Sequence, residues 1–215
     1  MAPSPIVSAS SESRPPSRFP EALARNVYFD ARFHRDAVKL MPGEYYYTDA
    51  DPVLVTVLGS CVAACIRDAN SGIGGLNHFM LARSERTTAH GHDSMLYGIT
   101  AMDVLLDQLL EAGAKFEHLE AKVFGGATML ESMVNTEVGE RNAEFVLGYL
   151  RKRNIPLMAS DLGGQHARKI YYFPSTGQVL LKRLTELRND TIVQRERVYD
   201  VYAGQVSGGN RGGLK

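Results

Sequence analysis

The sequence predicts an α+β fold in mixed α/β layers, with a largely antiparallel sheet and two main amphipathic helices packed on it. Short β-branched or apolar runs outnumber helical stretches, and several come in pairs joined by turn residues, which is typical of hairpins. Two longer stretches instead repeat their apolar residues with the period of an α-helix. No internal repeat is visible, so we expect one layered domain.

The composition is that of a soluble globular protein. The 215 residues are 44% hydrophobic and 22% charged, which is enough to bury a sizeable core. Lysine plus arginine equals aspartate plus glutamate at 24 each, so charge favours neither a nucleic-acid partner nor a membrane surface. Two cysteines, no secretory signal and no run of ~18 apolar residues predict a cytoplasmic location without direct membrane insertion.

Three regions are predicted along the chain. Residues 1–25 form a predicted disordered N-terminal tail, because their Ser- and Pro-rich composition buries too little apolar surface to offset chain entropy. Residues 26–202 form the predicted single domain. Residues 203–215 form a predicted flexible C-terminal tail, as expected of a frayed terminus.

Five strands are predicted in the first half of the chain: Ala37–Leu40, Glu44–Thr48, Val53–Leu58, Cys61–Ile66 and Ile73–Leu81. The last two flank a polar turn and form a predicted hairpin. If its loop is Ala69-Asn70, Cys61 lies directly across from His78, with their Cβ atoms about 5 Å apart. A loop centred on Ser71 would instead place Cys61 opposite Leu81.

The second half of the chain predicts both helices. The predicted elements are a helix from Asp93 or Ser94 to Gly113, a strand at Leu119–Phe124, a helix with Ala143, Val146, Leu147 and Leu150 on its inner face, a strand at Leu157–Asp161, and a hairpin of Lys169–Phe173 with Gln178–Leu184. Residues 83–91 form a predicted surface loop, and Val198–Val201 could add one more strand.

Cys61 and His78 are the candidate active site. Cys61 directly follows Gly59-Ser60, a pair that can turn the chain tightly and leave the next side chain open to a ligand. A free thiol with a pKa of ~8.5 is only a few per cent thiolate at pH 7, so a nucleophilic cysteine needs an adjacent base such as imidazole. A third residue would fix the imidazole tautomer. The nearby candidates for it are Thr56, Asn77 and Ser60.

Other interpretations of these residues stay open at this point. Cys61 and Cys65 could contribute to a zinc site, and His90-x-His92-Asp93 is a second group of ligand types, but neither has the spacing of a familiar zinc motif. Either cysteine could also be a small buried hydrophobe, which is the simplest interpretation of Cys65. His78 could likewise be a core histidine of an apolar strand.

Several separate motifs follow one another between residues 38 and 184. They are Leu58-Gly59-Ser60-Cys61-Val62-Ala63, Gly74-Gly75-Leu76-Asn77-His78-Phe79-Met80-Leu81, Glu120-Ala121-Lys122-Val123-Phe124-Gly125-Gly126-Ala127, Gly139-Glu140-Arg141-Asn142, Asp161-Leu162-Gly163-Gly164 and Arg168-Lys169. In residues and in order, these motifs resemble the chemoreceptor glutamine deamidase CheD family.

The resemblance implies an enzyme of chemotaxis, a protein-glutamine glutaminase. It implies hydrolysis of glutamine side-chain amides to glutamate and ammonia on methyl-accepting chemotaxis receptors, in their cytoplasmic helical region. Cys61 matches the nucleophile of the family, His78 its base and Thr56 the third member of its triad. No metal or organic cofactor is implied, and some members of the family also bind a CheC-type phosphatase.

Two alternative functions remain compatible with the same residues. A thiol nucleophile could open a methyl ester on the receptors, which would make the protein a receptor methylesterase. A non-catalytic adaptor would bind receptors or a phosphatase and would use Cys61 only as a structural residue. Replacement of Cys61 separates the enzyme from the adaptor.

Overall fold

The structure, a computed structural model, describes residues 20–81, 91–128 and 133–184. These residues form ten strands: β1 (Asn26–Asp30), β2 (Arg35–Lys39), β3 (Tyr45–Thr48), β4 (Val53–Leu58), β5 (Val62–Asp68), β6 (Gly74–Asn77), β7 (Leu119–Gly125), β8 (Leu157–Leu162), β9 (Ala167–Phe173) and β10 (Gln178–Leu184). They also form two α-helices, α1 (Gly98–Glu111) and α2 (Met133–Lys152).

The strands divide into two five-stranded sheets. The first, here named the helix-covered sheet, has the strand order β3-β6-β5-β7-β8, and the second, here named the outer sheet, has the order β1-β2-β4-β9-β10. Six of the eight strand pairings in the described residues are antiparallel, and only β2–β4 and β7–β8 are parallel. The predicted α+β class with largely antiparallel strands is therefore confirmed, although the strands form two sheets rather than one.

The molecule has three layers, because both helices pack on one face of the helix-covered sheet and the outer sheet packs on its other face. The core under the helices includes Tyr45, Tyr47, Val62, Ile66, Met102, Leu105, Leu109 and Val146. The core between the sheets, here named the interlayer core, includes Leu54, Leu58, Cys61, Cys65, Leu76, Met80, Ile170 and Tyr172. Residues 62–66 of β5 alternate between the two cores, which explains why this part of the strand is apolar at every position.

Both predicted helices are confirmed, with shifted boundaries. The first begins at Gly98 rather than at Asp93 or Ser94, because residues 91–96 form a 3₁₀ turn before it. It ends at Glu111, two residues before the predicted stop at Gly113, whose φ of +102° is readily adopted by glycine. Strand β1 was not predicted, because it lies in a stretch that mixes aromatic and charged residues, and its Val27 and Phe29 are exposed.

The predicted register of the hairpin β5–β6 is wrong. Cys65 pairs with Leu76, and Val62 forms a bridge with Phe79. Continuing this pairing places Met80, rather than His78 or Leu81, opposite Cys61. The thiol and the imidazole are therefore offset along the strands by two residues relative to the prediction.

The side chain of Asp68 explains this register, because it organises the loop of residues 69–73. Its Oδ1 atom accepts hydrogen bonds from the backbone N–H groups of Asn70 at 2.8 Å and Ser71 at 3.0 Å. Its own N–H donates to the carbonyl oxygen of Ile73 at 2.8 Å. These bonds stabilise a loop longer than the two residues that the prediction assumed, so the strands pair in another register.

Some predictions concern residues outside the described part of the chain. They are residues 1–19 of the N-terminal tail, residues 83–90 of the surface loop, the strand Val198–Val201 and the C-terminal tail. The domain limits 26–202 therefore stay a prediction. Within the described residues, no helix combines the length and apolar character needed to cross a membrane.

Replacement of Asp68 by Asn should destabilise the fold in a pH-dependent way. Burial alone would raise the pKa of this carboxyl, but N–H groups of Lys115, Ser71 and Asn70, together with His118, outweigh it and lower the pKa to about 2 from 3.8. The carboxylate therefore stabilises the fold above pH 3.8, and this contribution is lost as the pH falls towards 2. At pH 7, urea unfolding should show a loss of about 1–3 kcal/mol.

The same urea experiment at about pH 2.5 is the control for this assignment. Acid neutralises the carboxylate of the wild type, so the difference between wild type and Asp68→Asn should become smaller there. An equal difference at both pH values would contradict the role given to the charge of Asp68.

Candidate active site

The candidate residues Thr56, Cys61 and His78 lie at one end of the space between the two sheets. Thr56 is on β4 of the outer sheet, two positions from both Leu54 and Leu58 of the interlayer core. Side chains two positions apart on a strand share a face, so Thr56 points towards the helix-covered sheet. Cys61 directly precedes β5 and belongs to the interlayer core, and His78 directly follows β6.

Cys61 and His78 are neighbours across two strands, though not directly opposite each other. Val62 and Phe79 exchange both backbone hydrogen bonds at 3.0 Å. This pairing makes Met80 the residue opposite Cys61, and His78 lies two positions from Met80 on the same face. Such diagonal neighbours on adjacent strands are ~7–8 Å apart, which is within reach of a large side chain.

A hydrogen bond between the two sheets orients the imidazole. Thr56 Oγ1 and His78 Nδ1 are 2.8 Å apart, and both residues are buried. Oγ1 also lies 2.9 Å from the carbonyl oxygen of Leu40, which can only accept. The single hydroxyl proton therefore goes to Leu40, and Oγ1 accepts the Nδ1–H group of His78. Because a neutral imidazole carries one proton, Nε2 is left as the basic nitrogen.

The backbone of His78 is held by the segment that leads into β3. Its N–H group donates to the carbonyl oxygen of Glu44 at 3.0 Å, and its carbonyl oxygen accepts from the N–H group of Gly43 at 2.8 Å. Gly43 has a φ of +80°, a left-handed conformation that glycine adopts without strain. The ring of His78 is thus fixed by its backbone as well as by Thr56.

Asn77, another sequence candidate for orienting the imidazole, faces the helix layer instead. Its Oδ1 atom accepts from the N–H group of Ala64 at 3.0 Å, and its Nδ2 atom donates to the carbonyl oxygen of Ala101 on α1 at 3.0 Å. Adjacent residues of a strand point to opposite faces, so Asn77 and His78 serve different layers. Of these two candidates, Thr56 contacts the ring.

The turn that carries Cys61 packs against the glycine-rich end of β7. The carbonyl oxygen of Cys61 accepts from the N–H group of Gly126 at 2.8 Å, and that of Gly59 accepts from Ala127 at 2.8 Å. Gly125 has a φ of +117°, and a Cβ atom at this position would lie 2.1 Å from the carbonyl oxygen of Cys61. Only glycine therefore permits this approach of β7 to the Cys61 turn.

The structure buries the thiol that the sequence predicts to be open to a ligand. The Cys61 side chain is 2% exposed, so a substrate reaches it only when neighbouring groups move. Neither cysteine forms a disulfide. Burial raises the pKa of the Cys65 thiol more than the nearby Lys122 lowers it, which makes this thiol unreactive. Within the described ranges, no three Cys, His, Asp or Glu residues are grouped as metal ligands.

Asn142 on α2 also contacts the site, and the sequence pattern did not single it out as a functional residue. Its Nδ2 atom donates to the carbonyl oxygens of Ser60 at 3.1 Å and Met80 at 2.7 Å. Asn142 is fully buried, whereas Ala143, which was predicted to face inward, is only half-buried. A polar residue on the buried stripe of an amphipathic helix is the signal that could have found it.

Arg168 closes the same end of the interlayer core. It lies buried on β9 of the outer sheet and forms a 2.6 Å ion pair with Asp161 on β8 of the helix-covered sheet. It also donates to the carbonyl oxygens of Gly125, at 3.2 Å, and Gly163. Burial lowers the pKa of this guanidinium and Asp161 opposes that shift, so it stays a cation at neutral pH. Arg168 thereby joins the two sheets beside the Cys61 turn.

Fold and site together define a three-layer α+β protein with a buried thiol and a threonine-bound imidazole between its sheets. A family model described as "CheD chemotactic sensory transduction" matches residues 80–183 of this chain. The chain is also 53% identical over 180 residues to a protein of Herminiimonas arsenicoxydans named "Probable chemoreceptor glutamine deamidase CheD". These 180 residues cover 83% of this chain and 89% of that relative.

Two further relatives have similar lengths and names. A protein of Thiobacillus denitrificans with the same name is 51% identical over 197 residues, which cover 88% of this chain and 98% of the relative. A "Probable chemoreceptor glutamine deamidase CheD 1" of Dechloromonas aromatica is 52% identical over 183 residues, or 85% and 90% of the two chains. The chain therefore belongs to the CheD family, which confirms the resemblance seen in its motifs.

Replacement of Gly125 by Ala should lower the free energy of unfolding by about 2–5 kcal/mol, since it adds backbone strain and a clash with Cys61. Urea unfolding measures the loss. Gly148→Ala on α2 is the matched control: no atom lies within 4 Å of its added Cβ, so it should stabilise by about 0.5–1 kcal/mol. Equal stability of Gly125→Ala and wild type would show that β7 does not approach Cys61 so closely.

Proposed function

We propose that this protein hydrolyses glutamine side-chain amides of chemotaxis receptors in the cytoplasm, releasing ammonia and leaving glutamate. The names of its relatives supply the substrate class. The observation that carries the proposal is the contact between Thr56 and His78, which presents a basic Nε2 on the same face as Cys61. A cysteine beside an oriented imidazole is the arrangement that nucleophilic attack on an amide requires.

The proposed first half of the reaction forms a thioester. His78 Nε2 takes the proton of the Cys61 thiol, and the thiolate attacks the Cδ atom of the glutamine. Backbone N–H groups of the Cys61 turn are the proposed donors to the oxyanion that develops. The C–N bond then breaks while the proton on Nε2 moves to the departing nitrogen, which leaves as ammonia.

The second half hydrolyses the thioester. Nε2 takes a proton from water, and the hydroxide formed attacks the same carbonyl carbon. The C–S bond breaks, the thiolate of Cys61 regains a proton from His78, and the carboxylic acid formed loses its proton to solvent to give a glutamate side chain. The reaction uses only water and these side chains.

Thr56 has two roles in this scheme. By accepting the proton of Nδ1 it keeps the lone pair of His78 on Nε2, where the thiol proton must go. Its oxygen also stays bonded to the imidazolium formed after proton transfer. An uncharged oxygen stabilises a cation less than a carboxylate does, so Thr56 acts mainly through orientation.

Replacement of Cys61 by Ala should abolish conversion of receptor glutamines, with a fall of more than about 1,000-fold in rate, because no other group can form the thioester. The readouts are ammonia release and receptor mass, which rises by about 1 Da for each glutamine converted to glutamate by hydrolysis. Cys65→Ala is the matched control, since this second cysteine is equally buried but lies in the middle of a strand. The Cys65→Ala protein should keep its activity.

The same experiment separates the alternative functions. If Cys61→Ala still converts glutamine to glutamate, Cys61 is not the nucleophile. If the wild type binds receptors without changing their mass, the protein is an adaptor. Loss of methyl esters with no change at glutamine would identify a methylesterase.

Replacement of Thr56 by Val should lower kcat about 10- to 100-fold, because the imidazole loses the acceptor that fixes its tautomer. KM should change little, since Thr56 does not contact the substrate in this scheme. Thr56→Ser keeps the hydroxyl and should retain most of the activity. Steady-state kinetics of the folded variants measure both constants, and equal kcat values for Thr56→Val and Thr56→Ser would exclude a role for the hydroxyl.

A further inference from the structure

We infer that Asn142 is a positioning residue for the proposed deamidation, on which this inference rests. Its amide nitrogen donates to the carbonyl oxygen of Ser60 at 3.1 Å and to that of Met80 at 2.7 Å. Ser60 directly precedes the nucleophile Cys61, and Met80 lies two residues beyond the base His78. One side chain of α2 thus connects the segment that carries the thiol with the segment that carries the imidazole.

The chemistry of the two partners explains why an amide occupies this position. Both partners of Asn142 are carbonyl oxygens, which accept hydrogen bonds and cannot donate them. An amide nitrogen has two N–H groups and satisfies both oxygens, whereas a carboxylate would repel them. Asn142 is 1% exposed, and hydrogen bonds in a dry interior are stronger than those at the surface.

The other end of the amide indicates that stability alone does not account for this residue. The Oδ1 atom of Asn142 is buried and has no hydrogen-bond partner among the described residues. A buried acceptor without a hydrogen bond lowers the stability of the folded protein. Such a group therefore calls for a functional explanation. Val146, about one turn further along the same buried face, is the kind of residue that packing alone favours.

Two glycines bring α2 close enough for Asn142 to make these bonds. A Cβ atom on Gly126 would lie 2.8 Å from the carbonyl oxygen of Gly139, and one on Gly139 would lie 2.6 Å from that of Gly126. The helix therefore rests directly on the backbone that binds Cys61. Asn142 follows Gly139 by one turn and reaches past this contact to both site segments.

Asn142 adds to the contacts that hold each segment separately. The pair Val62 and Phe79 aligns the two strands, and Asn142 fixes the chain just beyond that pair at both strands. Without it, the separation of thiol and imidazole should vary more in the folded protein. Misplacement of the reacting groups lowers kcat. The contacts that bind the substrate elsewhere stay the same, so KM should change little.

The test uses the full chain with Asn142→Ala and Asn142→Ser. For Asn142→Ala we expect a kcat of receptor deamidation about 100-fold lower, with KM within about threefold of the wild type. The pH profile for iodoacetamide alkylation of Cys61, resolved from Cys65 by peptide mass, should differ from that of the wild type, because the thiol no longer meets the imidazole at a fixed separation. Asn142→Ser keeps one hydrogen-bond donor, and its kcat should lie between those of Asn142→Ala and the wild type. It replaces Asn142→Ala if that variant does not fold.

Gln108→Ala on α1 is the matched control. Gln108 is also a 1% exposed amide with a partnerless oxygen among the described atoms, but its amide nitrogen donates to Glu111 of the same helix. The Gln108→Ala protein should be less stable than the wild type and should keep its Cys61 alkylation profile. An Asn142→Ala protein that loses stability like Gln108→Ala, with unchanged kcat and alkylation profile, would overturn the inference.

Failure of the proposed function gives a different result. If the wild type converts no receptor glutamine while the alkylation profile of Cys61 still depends on Asn142, the positioning role stands and the deamidation does not. If deamidation is normal in the wild type and in both Asn142 variants, the proposed function stands and the positioning role is wrong.

Discussion

The hydrogen bond between Thr56 and His78 joins the outer sheet to the helix-covered sheet at the candidate site. Packed sheets lie ~10 Å apart, so the bond forms only while both sheets keep their spacing and alignment. Leu54 and Leu58 flank Thr56 in the interlayer core, and Met80 follows His78 into it. The packing of these apolar side chains therefore sets the orientation of the imidazole, and loosening of the interlayer core would weaken fold and site together.

Backbone contacts position the thiol. Gly125 and Gly126 bring the end of β7 against the carbonyl oxygen of Cys61, and Asn142 reaches the same turn from α2. Arg168 ties the outer sheet to this end of β7 through the carbonyl oxygen of Gly125, and to β8 through its ion pair with Asp161. All three layers thus meet at one turn. Rigid elements hold a catalytic group more accurately than a free loop does, which is consistent with the role proposed for Cys61.

The sequence predicted what depends on local pattern. Apolar periodicity located both helices and nine of the ten described strands, and the motifs located Cys61 and His78 on one hairpin. The register was wrong because one side chain, that of Asp68, sets the loop length. Local pattern left Thr56 as one of three candidates, because no such pattern shows which residue meets a ring across two layers, and the family resemblance alone singled it out. Asn142 was missed because a polar helix residue is usually exposed.

The protonation state of His78 can be measured directly, because the contacts of Thr56 specify which ring nitrogen carries the proton. The measurement is ¹⁵N NMR of Cys61→Ala protein with ¹⁵N-labelled histidine. In this variant, the Cys61 thiol can no longer exchange a proton with the ring. The signals of His78 are assigned by their disappearance when His78 is also replaced. In the neutral imidazole, we expect a protonated Nδ1 and an unprotonated Nε2. A protonated Nε2, with Nδ1 accepting from Thr56, would contradict it.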